Sequence, residues 1–493
     1  MIVNLGELTD VSDLDSEVVV VGGGAVGITL AAALSDLDID VTVLEAGGVE
    51  FGSYDPHFYA GRVDGLPYDL LRSRQRSLGG ATNRWFGWSR PLEDLVFERR
   101  AWIGDTGWPL SAKELSPWYR RAHRFMRLGQ YDWDSDSVQK RINPASQPVG
   151  EFTDVVTSPL WRFFPDPLQF QNQYAEVLQR PNVKVVVNAP VVDFELKRGR
   201  ARSAVVVAPS LTRIKVSGNH FFLGTGGIEN LRMLLVLEQT AKAAGIRLDR
   251  SGWLGRGWME HPHVQSGLLV MPDSVADNEF YLQSDFRMDG ETRVVAGFGV
   301  SERVLQQERM PLASFSVFNQ NDEGSALVPH VEAVRQATAQ LASSATTVRS
   351  IYARSESRVV RKSQVRLLKQ TDRYDTPVTR LTWRVNPRDY QDLYRAQRFL
   401  AREFARLGLG VIAEDPRPLS ERIEGGNHHI GGARMADSPK DGVTNVYGQL
   451  FSIPNISVTG SALFPTGGFS NPTMTIVALA LRQAAHYSDE LHE

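Results

Sequence analysis

Glu17-Val18-Val19-Val20-Val21-Gly22-Gly23-Gly24-Ala25-Val26-Gly27 lies near the start of the chain, and its reading decides the fold. Four consecutive valines predict a short buried strand, because β-branched side chains suit a covered, pleated surface. Gly22, Gly24 and Gly27 fit the spacing G-x-G-x-x-G, residues 28–37 read as a small-residue helix, and residues 40–44 read as a second strand closing in Glu45. In such a strand–turn–helix unit the first glycine permits the tight turn. The second lets backbone approach a pyrophosphate, and the third lets helix and strand pack closely. The helix start adds free N–H groups and the positive end of its dipole. Glu45, 21 residues after Gly24, is placed to accept from ribose hydroxyls and to repel a 2′-phosphate. The unit predicts a dinucleotide other than NADP and leaves NAD and FAD open.

Composition narrows the rest. The chain has 493 residues, a net charge of −3, 42% hydrophobic and 23% charged residues, and no cysteine. At roughly 150 residues per domain, the length predicts two or three domain-sized units. Near-neutral charge argues against a nucleic-acid partner, whose binding needs a basic face. Without cysteine there is no disulfide, iron–sulfur cluster, cysteinyl zinc site or thiol nucleophile, and no metal site is expected. Residues 18–35 are uncharged over nearly the length of a membrane span. The glycines at their centre read instead as strand, turn and helix. Glu7, Asp10, Asp13 and Asp15 replace the basic region of a secretion signal, so a cytoplasmic location without a membrane span is expected.

Further along, Gly79-Gly80-Ala81-Thr82-Asn83-Arg84-Trp85 follows Arg72, Arg74 and Arg76. It reads either as a solvated charged loop or as a glycine turn laid against the cofactor. Seven of the ten Trp fall between Trp85 and Trp161. Core packing is the preferred reading for them, with a sugar-stacking platform as the alternative. Strands are expected around 182–194. Residues 221–238 form a second strand–glycine–helix unit expected to join the first sheet. Its Gly224-Thr225-Gly226 run has Glu229 at the third glycine position, so one dinucleotide is expected, not two. Glu260-His261-Pro262-His263 comes next, with no function assigned to it from sequence. Between 265 and 424 the pattern predicts an antiparallel sheet (268–271, 293–300, 314–318, 357–368 and 378–385) with helices at 331–341 and 388–407. Arg354, Arg358, Arg361, Lys362 and Arg366 alternate with apolar residues there, as on a sheet with one wet face. Near the C-terminus, Gly425-Gly426-Asn427-His428-His429-Ile430-Gly431-Gly432 surrounds two histidines with glycine, and Asn471 precedes a helix beginning at Thr473.

Together these segments resemble the glucose–methanol–choline (GMC) flavin oxidoreductases, from Val18 to the C-terminal helix, most strongly at the two ends. The unit closing in Leu44-Glu45-Ala46-Gly47, the Gly79-Gly80-Ala81-Thr82-Asn83 turn and Gly226-Gly227-Ile228-Glu229-Asn230-Leu231 are similar to three family motifs. His428-His429-Ile430-Gly431-Gly432-Ala433-Arg434-Met435 resembles H-x-x-G-T-C-R-M, with Gly432 and Ala433 as departures. Within the family the chain looks closest to bacterial C-glycoside 3-oxidases and pyranose oxidases.

The resemblance implies an α/β chain: a Rossmann-like FAD-binding domain (1–95, 181–264, 425–493) and a substrate-binding domain with an antiparallel sheet and helices (96–180, 265–424). It implies His428 and Asn471 as the catalytic pair. The implied flavin-binding set is Gly22, Gly24, Ala25, Gly27, Glu45, Ala46, Arg76, Gly79, Gly80, Thr82, Asn83, Val191, Thr225, Gly226, Gly460, Ser461, Pro472 and Thr473. Arg84 stands where some relatives carry a flavin-linking histidine, so noncovalent FAD is expected. The implied reaction is oxidation of a secondary hydroxyl, preferably C3, of a glucopyranoside or aryl C-glycoside, with oxygen or a quinone as electron acceptor. An unperturbed imidazole at His428, with a pKa of about 6.5, would serve as base. A pyranose 2-oxidase and a dehydrogenase of non-sugar alcohols are the alternatives; a lyase that keeps FAD and a catalytically silent flavoprotein are two further classes.

Overall fold

The structure is a computed structural model. It describes residues 1–8, 14–50, 52, 59–104, 107–143, 152–166, 168–273, 279–282, 286–319, 346–415 and 417–492. The helix expected at 331–341 lies outside the described residues.

The valine run forms the strand Ser16–Val21. Val18, Val19 and Val20 are wholly buried, as a strand covered on both faces requires. The turn leads into the helix Ala25–Ser35 and then the strand Val41–Leu44. These strands pair in parallel, and the order across the sheet is Ile2–Asn4, Val183–Val187, Val41–Leu44, Ser16–Val21, Arg213–Leu223 and Ile453–Val458. The expected second unit therefore joins the first sheet, through Arg213–Leu223. The first half of that long strand also pairs antiparallel with Arg200–Val207, which pairs with Val191–Lys197. Register aligns the strand ends. Leu44, Val21, Leu223 and Val458 are successive cross-strand neighbours, so four chain segments leave the sheet together at one edge. Helices Ala25–Ser35 and Gly227–Ala243 begin at that edge.

The second large sheet is antiparallel along most of its length. Its order is Val411–Glu414, Pro262–Pro272, Thr346–Ser355, Ala313–Phe318, Phe298–Val300 and Val156–Thr157. The helix Pro387–Arg406 starts with an Asn386 cap and packs on this sheet. Three expectations need correcting here. The segment read as one strand over 293–300 breaks at Gly297, whose Cβ would lie 2.9 Å from the Phe315 carbonyl oxygen; its halves serve different sheets. The strand read over 357–368 begins only at Gln364, and with Pro377–Trp383 and Gly61–Gly65 it makes a separate small sheet. The arginine alternation marks a wet face only in part: Arg361, Lys362 and Arg366 are exposed. Arg358 is buried between Asp389 and Asp392, and Arg354 turns inward onto Trp88. Among the described residues no helix is long and apolar enough to cross a membrane.

Candidate active site

The shared sheet edge carries the glycine turns. Gly22 has φ +105°, and a Cβ there would meet the Gly224 carbonyl oxygen at 2.7 Å. A Cβ on Gly27 would lie 1.9 Å from the Gly22 carbonyl oxygen, so the helix can start this close only without a side chain. The Gly79-Gly80 turn lies on the same spot: Gly79 N–H donates to the Gly23 carbonyl at 2.8 Å. The reading as a solvated charged loop is corrected: residues 73–80 are buried, and the turn lies against the Gly22–Gly27 motif. Other glycines face open space. A Cβ on Gly226 would meet nothing within 4 Å, and on Gly24 or Gly460 only one atom, at 3.9 Å. Bare backbone therefore surrounds a gap at the carboxyl ends of the parallel strands, where this class of sheet binds its ligands.

Side chains shape that gap. Glu45 accepts from Gly23 N–H and Gly47 N–H, both at 2.8 Å. Burial raises its pKa, opposed by those N–H groups and the nearby Arg76. Two carboxylate oxygens offer about four acceptor sites, so capacity remains for a ribose. Ala46 follows it on the strand exit. Val191 comes just after a segment whose Asn188 and Ala189 N–H groups donate to the Gly47 and Glu45 carbonyls. Thr225 is tied by its N–H and hydroxyl to Asn230 Oδ1, and Asn230 Nδ2 reaches the Thr459 carbonyl beside Gly460. Thr82 and Asn83 brace their own loop. The Thr82 hydroxyl donates to Gly79 O at 2.6 Å, and Asn83 Nδ2 donates to Ser77 Oγ and Leu78 O. That turn presents chiefly glycine backbone to the gap.

A second cluster brings His428 and Asn471 together. Met259 and Ile430 exchange backbone hydrogen bonds, which lays the Glu260-His261 segment beside His428. His428 Nδ1 is 3.0 Å from His261 Nδ1, and its Nε2 is 3.0 Å from Asn471 Nδ2. The His263 ring centroid is 5.5 Å from that of His428. Gly426 makes this gathering possible: a Cβ there would lie 2.5 Å from His263 Nε2 and 3.0 Å from His428 Nδ1. Glu260 fixes the backbone, accepting from His428 N–H at 2.8 Å, His261 N–H at 2.9 Å and the Tyr68 hydroxyl at 2.6 Å. Burial lifts Glu260 to about 7 against those donors. Asn471 is held by the loop before it: Gly468 N–H donates to Glu356, itself in a buried two-bond pair with Arg100 at 2.7 Å. Pro472 and Thr473 then open the helix Thr473–His492. Ser461 donates to the His429 carbonyl. His429 itself turns away and packs against Tyr68 and Trp258.

The hydrogen-bond pattern orders the protons. With Asn471 Nδ2–H donating to His428 Nε2, the proton of His428 sits on Nδ1 and donates to His261 Nδ1. His261 then carries its own proton on Nε2, which faces the Gly467 carbonyl at 3.4 Å. His428 is held well below the ordinary imidazole pKa, first by burial, then by His261, His263, Arg354 and His429. The expectation of an unperturbed imidazole is thus corrected: burial and the neighbouring groups favour the neutral form of His428. His261 is lowered to about 4 by burial. Among the described residues no acidic or histidine group is arranged to hold a metal ion. Sequence reasoning missed Glu260, His261, His263 and Arg354 as parts of the site. The run Glu260-His261-Pro262-His263 was the available signal.

The glycine-walled gap, a buried ribose-type acid and a neutral histidine pair beyond them suit an FAD-dependent oxidoreductase. Comparisons agree. Residues 17–227 match the FAD dependent oxidoreductase family and residues 359–480 match the GMC oxidoreductase family. The chain thus carries a GMC oxidoreductase domain at 359–480 and an FAD dependent oxidoreductase domain at 17–227, and both point to FAD as the cofactor. A C-glycoside 3-oxidase of Arthrobacter globiformis is 35% identical over 126 residues, 24% of this chain and 23% of that protein. The match thus spans under a quarter of that relative's length. A 2-methyl-1,2-propanediol dehydrogenase of Mycolicibacterium austroafricanum is 22% identical over 96% of this chain and 95% of its own. The crystal structure of pyridoxine 4-oxidase from Mesorbium loti superposes with a TM-score of 0.58 at 18% identity, covering 97% of this chain and all of that one. At that identity the likeness speaks for the fold.

Proposed function

We propose that the chain oxidises a secondary hydroxyl of a glycoside, with C3 of a glucopyranoside or aryl C-glycoside preferred, and that His428 and Asn471 are its catalytic pair. The observation that carries this reading is His428 Nε2 facing Asn471 at 3.0 Å while His428 Nδ1 is engaged by His261. Noncovalently bound FAD, held by Gly22, Gly24, Gly27, Glu45, Gly79, Gly80, Gly226 and Gly460, supplies the two-electron oxidant. The remaining work falls to the chain. The substrate hydroxyl displaces the Asn471 contact at His428 Nε2, which takes the hydroxyl proton as the carbinol carbon loses hydride. Asn471 cannot titrate; its amide orients the oxygen and supports its developing negative charge. His261 accepts from Nδ1–H and so keeps the Nε2 lone pair available. Because His428 is a weak base, proton transfer is favourable only as the hydride leaves, which couples the two events. Oxygen or a quinone takes the electrons onward.

The partial match to C-glycoside 3-oxidases supports the sugar reading. The chain-long likeness to a diol dehydrogenase supports a second reading, oxidation of a small non-sugar alcohol. An anaerobic screen for flavin bleaching separates them: glycosides bleach and simple diols do not if the first reading holds. NMR of the product then fixes the carbon. A 3-keto sugar is expected, and a 2-keto sugar would move the assignment to a pyranose 2-oxidase.

A further inference from the structure

Arg354 sits one row from the proposed catalytic histidine and has no part in the proton and hydride transfers. Strand Thr346–Ser355 lies between Pro262–Pro272 and Ala313–Phe318, and its register aligns His263, Arg354 and Ser314. Directly opposed residues share a sheet face, with Cβ atoms about 5 Å apart. His263 in turn lies against His428, with ring centroids 5.5 Å apart. The row thus runs from His263, beside the base, through Arg354 to the buried Ser314.

Among the described residues this guanidinium lacks the carboxylate partner that five buried arginines have. Arg74, Arg100, Arg162, Arg232 and Arg358 are buried, and each meets a carboxylate. Arg354 meets none among the described residues, and its Nη1 is buried without an acceptor. Instead it stacks on Trp88, 4.3 Å from the ring centroid, with Trp161 at 5.5 Å. His263 Nε2 and Ser314 Oγ in the same row are likewise buried without partners. The nearby acids are already engaged: Glu356 by Arg100, and Glu260 by Tyr68 and two backbone N–H groups. Arg354 is half-buried; taking a cation partly out of water without a counter-ion is costly, and stacking on indole returns only part of that cost. An incoming anion would satisfy the guanidinium, the imidazole and the hydroxyl together.

We propose that Arg354, with His263, forms an anion subsite beside His428 that selects substrates carrying a carboxylate near the oxidised hydroxyl, as a hexuronoside does. A single guanidinium balances a monoanion, and a planar carboxylate can accept two parallel N–H bonds from it. The proposal rests on the glycoside reading and refines its substrate class.

The test compares phenyl β-D-glucuronide with phenyl β-D-glucoside in anaerobic flavin reduction by wild type, Arg354→Gln and Arg354→Lys. The glucuronide should be the better substrate of wild type. Arg354→Gln should lower the glucuronide-to-glucoside ratio of kcat/KM at least about 30-fold, the size expected when a buried charge pair loses one partner. Arg354→Lys should recover part of the loss as a point charge without the fork. Equal losses on both substrates would show a structural role and overturn the proposal. Acetate and D-glucuronate titrated into the flavin-loaded protein, followed by tryptophan fluorescence, read the subsite without turnover. Binding that vanishes in Arg354→Gln supports it even if no sugar bleaches the flavin, an outcome that would defeat the glycoside reading alone. Binding absent from wild type, or unchanged in the variant, contradicts it.

Discussion

The parallel-sheet edge and the antiparallel-sheet wall use opposite chemistries. At the edge, ligand would be met by backbone: Gly24, Gly226 and Gly460 leave their space open, beside the charged Glu45 and Arg76. At the wall, the ligand would be met by side chains: His428, His261, His263, Asn471 and Arg354. A backbone cradle binds a fixed group, the dinucleotide, wherever the glycines recur. A side-chain wall can be altered one residue at a time to suit a substrate. The first should therefore fail as a unit and the second by degrees.

The largest effect expected is at the edge. Gly27→Val would place a branched side chain where even a Cβ lies 1.9 Å from the Gly22 carbonyl oxygen. It should yield protein without flavin absorbance or no folded protein. Full flavin loading at wild-type stability would break the contrast. Second, Gly426→Ala sets a Cβ 2.5 Å from His263 Nε2 and should disperse the imidazoles. Flavin content should stay intact while kcat/KM falls by more than about tenfold, on the order of the effect of a roughly 1 Å misplacement. Third, His261→Phe keeps the ring but removes the acceptor for His428 Nδ1–H. It should lower kcat by on the order of tenfold and change the pH profile, whereas a purely packing role would leave the profile unmoved. His261→Asn, which can accept a hydrogen bond, should recover part of the rate.

The smallest effects are in pH. As the proposed base, His428 would have to be neutral, and its pKa lies below the ordinary imidazole value. Activity should therefore persist as pH falls below about 6.5. Removing the Arg354 cation should move the acid limb upward, since Arg354, His261, His263 and His429 all oppose protonation of His428. Glu260 and Tyr68 face the same site and stay paired with each other. Stability has the same sign. His220, lowered to about 3, and His261, lowered to about 4, bind fewer protons folded than unfolded. Their contribution is present above about pH 6.5 and is lost toward their folded values, by up to about 1.4 kcal/mol per pH unit for each histidine. Chemical denaturation from about pH 7 to about 4.5 reads this slope.

The two regions also differ in how far sequence reveals them. The cradle was legible because each part is contiguous: the strand, the Gly22–Gly27 turn and Glu45 lie in one unit, and the sheet only repeats the arrangement at Gly226 and Gly460. His428 and Asn471 were legible as motif residues of a resembling family. The wall was not. Arg354 alternates with apolar neighbours whether its face meets water or a buried cleft. Only the register with His263 and Ser314, residues some 91 and 40 positions away, distinguishes the two. The loop 356–363 hid for a related reason. Its hydrophobic alternation continues that of a strand, but Arg358 draws the chain off the sheet to pair with Asp389 and Asp392 on the packed helix.

The central claim is that a neutral His428 takes the hydroxyl proton in an oxidation for which bound flavin would supply the two-electron acceptor. Anaerobic mixing of flavin-loaded His428→Ala with a glycoside that bleaches the wild type tests it most directly. The variant should stay yellow in the time the wild type needs, its rate of bleaching down by about 10²–10⁴. Bleaching at the wild-type rate would remove His428 from the reaction and contradict the claim.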